Sequence, residues 1–285
     1  MEPATPSWLP EGKTTAFALT IPVDCETVVL AEGRRFAQHP LPMSHQVYEI
    51  QRGVPRLLGM LDALGIKATF FVPGWTLERH PQLVEPIVGA GHELAHHSYS
   101  HRPPTDMSES EERADFERAL EVMAAFGVTP AGHRAAYWSA SSRTLDIVAE
   151  YGLRYDTSLM GDDSPYLVRR RDRDVVELPC HWILDDFDHY AFLPQPRIGR
   201  NVEAPQTAVG IWRAELDGLR RYGGLYQLTC HAFLSGRAGR TLALRGLLEY
   251  ALSCGDVEFM TCGEAARRAL AAPPARPRAG VTETQ

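Results

Sequence analysis

The feature that most constrains this chain is a repeated alternation. Short apolar runs rich in β-branched and aromatic residues, TAFALTIPV at 15–23 and ATFFV at 68–72, alternate with stretches whose apolar residues fall at helical spacing. Val54, Leu57, Leu58, Leu61 and Leu64 mark one face of a helix expected over 47–64 that stops at Gly65. Helices expected over 81–90, 108–126 and 142–151 stop in the same way at Gly91, Gly127 and Gly152. A glycine there takes the left-handed turn that ends a helix without steric cost. Ser108 and Ser142 read as the N-caps of two of these helices. Further strands are expected near 92–95, 175–178, 225–230 and 257–260, and further helices near 204–222 and 241–253. Strand and helix alternating throughout implies one parallel sheet wrapped by helices. No fixed-period repeat and no Gly/Ser linker divides the chain, so a single domain is expected over 15–270, after an N-terminal extension over 1–14. The Pro/Ala-rich end, AAPPARPRAGVTETQ at 271–285, reads as a flexible tail.

Charge and composition remove several classes of function. The chain carries 29 Lys and Arg against 36 Asp and Glu, for a net charge of −7, which is no footprint for nucleic acid. The basic run Arg169, Arg170, Arg171, Asp172, Arg173 reads as a solvated loop. No 18-residue apolar stretch and no leader pattern is visible, which predicts a cytoplasmic protein without membrane contact. Five cysteines without a CxxC pair argue against both a disulfide framework and a cysteine zinc finger.

The chemistry concentrates where the expected strands end. GHELAHHSYSH at 91–101 holds four histidines, and His97 and His101, four apart, would share one side of a helical turn and offer two imidazoles to a divalent ion. Asp24 and Glu26 follow the first strand, where parallel α/β folds place their sites. Two imidazoles and a carboxylate converging there would leave open positions for water, the geometry of a metal hydrolase. His92 and His96 read as bystanders, His96 pointing to the opposite face from His97. Cys25, between two carboxylates, reads as structural because neighbouring negative charge suppresses its thiolate.

In this arrangement the chain resembles the polysaccharide deacetylases, the NodB-homology or family-4 carbohydrate esterases, over nearly its whole length. VDCE at 23–26 is similar to the family's first motif, with Asp24 matching the catalytic base and Glu26 standing where the family has a metal-binding aspartate. HSYSH at 97–101 matches the second motif. RAAY at 134–137 is similar to the third, with Ala136 in place of proline. YDTSLMGDD at 155–163 and LTCHAFLSGR at 228–237 represent the fourth and fifth, and His231 matches the catalytic acid.

The resemblance implies a deformed (β/α) barrel that hydrolyses a carbon–nitrogen bond other than a peptide bond. It implies one divalent metal, zinc, on Glu26, His97 and His101, and a metal-activated water deprotonated by Asp24. Arg134 would pair with Asp24, Asp156 would keep His231 protonated, and the backbone near Tyr137 and Trp138 would receive the oxyanion. The expected substrate is a small or sugar-derived amide. The segments at 155–166 and 230–240 look more like an intracellular branch that includes peptidoglycan-deacetylase-like proteins, cyclic imide hydrolases and metal-independent allantoinases. A ring-opening hydrolase is therefore the alternative, and a non-catalytic ligand-binding barrel the reading from another class. Asp162, Asp163 and HWILDDFDHY at 181–190 suit a lid over a polar substrate or, equally, an exposed loop. Assembly into a homo-oligomer is left open by the sequence.

Overall fold

A computed structural model describes residues 6–170, 173–200 and 202–272. The expected tail lies outside these, except for Ala271, which ends the last helix, and Ala272. The strands are β1 Thr15–Pro22, β2 Thr69–Val72, β3 Glu93–His96, β4 Gly132–His133, β5 Tyr155–Asp156, β6 Tyr166–Val168, β7 Val175–Glu177, β8 Phe192–Leu193, β9 Ile198–Gly199, β10 Gly224–Thr229 and β11 Val257–Phe259. Nine of them form one sheet in the order β10-β1-β2-β3-β4-β5-β7-β6, with β11 also on β1. All pairings in it are parallel except β6 with β7. β8 and β9 make a separate hairpin.

Both faces of β1 are buried, which is why its sequence is a continuous apolar run rather than an alternating one. Phe17, Leu19 and Ile21 enter the large core under the helices, while Ala16 and Ala18 belong to a second, inner cluster with Phe71, Ala95 and Tyr155. Small residues on the inner face let the sheet curl. The curl is visible in two bonds that a flat sheet forbids. Gln227 of β10 donates to the Thr157 hydroxyl beyond β5 at 2.6 Å, five strands away, or roughly 24 Å on a flat sheet at about 4.8 Å spacing. Arg134, just beyond β4, donates to Thr20 of β1 at 3.0 Å. One domain, a deformed barrel of the expected kind, results.

Two expectations for helices are corrected. The helix expected over 47–64 is Pro40–Tyr48 followed by a π-helical turn at Glu49–Gly53 and a helix over Val54–Leu64. Pro55 has no N–H to donate and its ring crowds the preceding turn, so that turn widens. Ser142 is no cap: the helix Thr144–Glu150 starts after Arg143, and the Thr144 hydroxyl instead accepts from the Ser141 N–H at 2.8 Å. Ser108 does cap Glu109–Ala125, in a reciprocal capping box with Glu111. Among the described residues no helix is long and apolar enough to cross a membrane.

Candidate active site

The C-terminal ends of β1, β3, β4 and β10 carry the loops that hold Asp24, His97 with His101, Arg134, and His231. The first three loops contain every non-glycine residue with left-handed backbone among those described: Cys25, Ser98, His101, Tyr137 and Trp138, with φ from 51° to 59°. Such residues each cost about 1–3 kcal/mol and persist only where the surroundings over-determine them. Here the surroundings do. The Tyr99 and Ser100 N–H groups donate to Asp115 at 2.8 and 3.0 Å, the Ala135 N–H donates to Ser158 Oγ at 2.9 Å, and Thr76 donates to the Asp24 carbonyl at 2.9 Å. The expected helical turn at 97–101 is therefore a loop. Its left-handed residues, not an i,i+4 helix face, bring the two imidazoles to 4.9 Å between ring centroids.

Asp24 is the hub. Its Oδ1 lies 3.5 Å from His97 Nε2 and 3.6 Å from His101 Nε2, and its Oδ2 lies 3.6 Å from His231 Nε2. All four groups are buried, and neither carboxylate oxygen has a hydrogen-bond partner. His97 Nδ1 is 2.7 Å from the Arg134 carbonyl, so that nitrogen carries the proton and Nε2 presents a lone pair. Burial, with the neighbouring His101, pushes the His97 pKa well down, and burial lowers that of His101 despite Asp24, so both rings are neutral. A lone pair on His97 thus faces a lone pair on Asp24. A shared cation reconciles them, and Asp24, His97 and His101 present three donor atoms within 4.8 Å of one another. These residues fit a divalent metal, with Asp24 as the carboxylate of the group.

Glu26 is not brought to this triad. Its carboxylate bonds His80, at 2.9 Å.

His231 has the opposite surroundings. Asp186 accepts from its Nδ1–H at 2.8 Å and its backbone N–H at 2.9 Å, and also from the Ser235 N–H and hydroxyl. Asp185 stands 3.4 Å from Nδ1. Burial alone would lower the pKa of His231, but Asp185 and Asp186 outweigh it and lift it well above the ordinary imidazole value. The expected partner, Asp156, is elsewhere: it accepts from His133 Nδ1 at 2.7 Å and Ser158 Oγ at 3.1 Å. Asp186 falls in the segment 181–190 read as a lid or, equally, an exposed loop; His181 and Trp182 are exposed there, and the second half is the helix Asp186–Tyr190, which buries Asp186, His189 and Tyr190.

Arg134 does not pair with Asp24. Its guanidinium bonds Thr20 and, at 3.4 Å, Thr229, and lies over the Phe71 ring at 4.2 Å. Nε and Nη2 are buried and unpartnered. A carboxylate and a guanidinium that are both buried with unpartnered polar atoms each call for water or a ligand group. Tyr137 packs its ring 4.9 Å from His101, and Trp138 lies 4.8 Å from Trp182.

Glu49 escaped the sequence reading. It sits in the π-helical turn, fully buried, and accepts from the Cys25 N–H at 2.6 Å and the Phe233 N–H at 3.1 Å, tying the loop of Asp24 to that of His231. Burial and the charge of Asp24 raise its pKa to about 8. The interruption at Pro55 was the available signal, since π turns gather at functional sites. Gly53 at the end of this turn has room for no side chain: a Cβ would meet the Ala232 carbonyl oxygen at 2.2 Å.

A sequence profile of the polysaccharide deacetylases matches residues 46–155. A crystal structure from Mycobacterium smegmatis, assigned as a polysaccharide deacetylase, is 41% identical, covers 97% of this chain and 99% of its own, and superposes with a TM-score of 0.91. The chain belongs to the polysaccharide deacetylase family. The peptidoglycan deacetylase of Helicobacter pylori is 27% identical over 254 residues, 80% of this chain and 87% of its own. The structure of an allantoinase, at 22% identity and a TM-score of 0.81 over 95% of each chain, shares the fold. As a polysaccharide deacetylase, the protein is a hydrolase of non-peptide C–N bonds. Asp24, His97 and His101 are one of three groups among the described residues whose donor atoms lie close enough together to hold a metal.

Proposed function

We propose that this polysaccharide deacetylase removes an N-acyl group from a sugar-derived amine, with one divalent cation, zinc, on Asp24, His97 and His101. The observation that carries the reading is the buried, unpartnered Asp24 carboxylate facing three imidazole nitrogens, two neutral and one held protonated. When bound, such a cation acidifies water and polarises a carbonyl. Asp24 Oδ2, the oxygen turned to His231, takes the proton of the attacking water as its oxygen bonds to the amide carbon. His231 Nε2 gives its proton to the nitrogen as the C–N bond breaks, so the amine leaves neutral. The proton then on Asp24 returns to His231 across the 3.6 Å gap and resets both groups. Arg134, buried with two unpartnered guanidinium nitrogens, supplies positive charge for the oxygen of the tetrahedral state, and Tyr137 and Trp138 wall the substrate.

The test combines elemental mass spectrometry on the wild type and His97→Ala with assays on an N-acetylated sugar, a cyclic imide and allantoin. One metal per chain, lost in the variant, together with acetate release from the sugar, is the expected result. A metal-free wild type that opens a ring substrate, giving one product heavier by a water, would replace this reading with the ring-opening alternative.

A further inference from the structure

Glu26 is kept from the triad by a specific device. The helix Gly74–Arg79 lies against the loop of Asp24 and grips it twice: Thr76 donates to the Asp24 carbonyl at 2.9 Å, and His80, the residue that ends the helix, bonds the Glu26 carboxylate at 2.9 Å. The same helix is anchored to the histidine loop, since the Gly74 and Trp75 N–H groups donate to the carbonyls of Ser98 and Tyr99. One element therefore sets the position of Asp24, of Glu26 and of the histidine loop together.

The His80 and Glu26 side chains are only 14% and 7% exposed, so this bond is shielded from water. Beside it lies a cavity of about 490 Å³ that Glu26 lines together with Leu30, Met43, Trp75, Glu78, Arg79 and Tyr99. Asp24 and Glu26 are two residues apart, at most about 7 Å between Cα atoms, and a glutamate has three rotatable bonds.

We propose that His80 is a positioning residue that withholds Glu26 from the cation, so that the ion keeps three protein ligands and an open position for water and substrate. Catalytic metal sites keep such a position, whereas sites with four protein ligands are closed and structural. This rests on the cation site proposed above, and it makes the exchange of aspartate for glutamate at 26 tolerable: the longer side chain is captured by a partner outside the site.

The experiment measures zinc affinity by chelator competition, and cobalt spectra, for the wild type, His80→Ala, Glu26→Ala and the double variant. His80→Ala is expected to bind zinc about tenfold more tightly, the scale on which outer partners tune metal sites, and to hydrolyse substrate more slowly. Glu26→Ala is expected to stay within about threefold of the wild type, and the double variant to match Glu26→Ala, because His80 acts only through Glu26. Unchanged or weaker zinc binding by His80→Ala overturns the proposal while leaving the cation site standing, as does tightening that persists in the double variant. A thiolate-to-cobalt charge-transfer band overturns it too, by placing the ion on Cys25, Glu26 and His80, a second donor set among the described residues. Failure of every variant to bind either metal overturns the cation site and this inference together.

Discussion

His231 and the pair His97 and His101 meet the same carboxylate, yet their surroundings differ in kind. Around His231 the protein is complete: Asp186 receives four hydrogen bonds, two of them from His231, and with Asp185 holds the ring charged despite burial. Around His97 and His101 it is incomplete, with two neutral rings, a His97 lone pair facing the unpartnered Asp24 carboxylate, and a His101 Nδ1 that has no partner. One side stores a proton from its own carboxylates, and the other waits for positive charge from outside. Residue type does not decide a histidine's role here; what stands behind each ring does.

The comparison breaks most severely at Asp24, which both sides share. Asp24→Asn should lower hydrolysis by roughly 10,000-fold or more and also empty the cation site, as activity and elemental analysis would show. His231→Ala should cost about 100- to 10,000-fold in kcat while metal content stays at the wild-type level. Equal metal loss in both would erase the distinction between the two sides. Asp186→Asn sharpens it. The raised pKa keeps His231 protonated below its folded value and releases the proton as pH rises through that value, so the alkaline limb of the rate profile should move toward lower pH in the variant. Glu49→Gln leaves one of two backbone N–H groups without an acceptor, at about 1–3 kcal/mol in an unfolding titration. The smallest effect is expected at Glu177, remote from both sides, whose carboxyl is raised by burial and by Asp156. Between the ordinary carboxylate range and its raised value the folded state holds the extra proton, so stability falls as pH rises through that window. Glu177→Gln should flatten that slope in thermal melts at several pH values.

The barrel was legible because β1 and β2 are short runs of apolar and β-branched residues and the helix between them ends on Gly65. The two-residue strands β4 and β5 carry too little pattern to be read, and neither does the antiparallel pairing of β6 with β7. At the site, the positions of Asp24, His97, His101 and His231 followed from motif order. Their partners did not: Asp186 and Glu49 come from segments far away in sequence, and acidic residues there look no different from solvated ones. The destination of Glu26 was hidden for a related reason. Only the folded backbone, turned by Cys25, shows which way a side chain one methylene longer will go.

The five left-handed residues around the site also bear on how this chain tolerates change. Glycine at Cys25, Ser98, His101, Tyr137 or Trp138 would relax the local backbone, so variants selected for folding alone should accumulate glycine there. That larger side chains stand at all five positions marks these loops as places where ease of folding has been surrendered, and where a screen for thermostability would tend to erode turnover first.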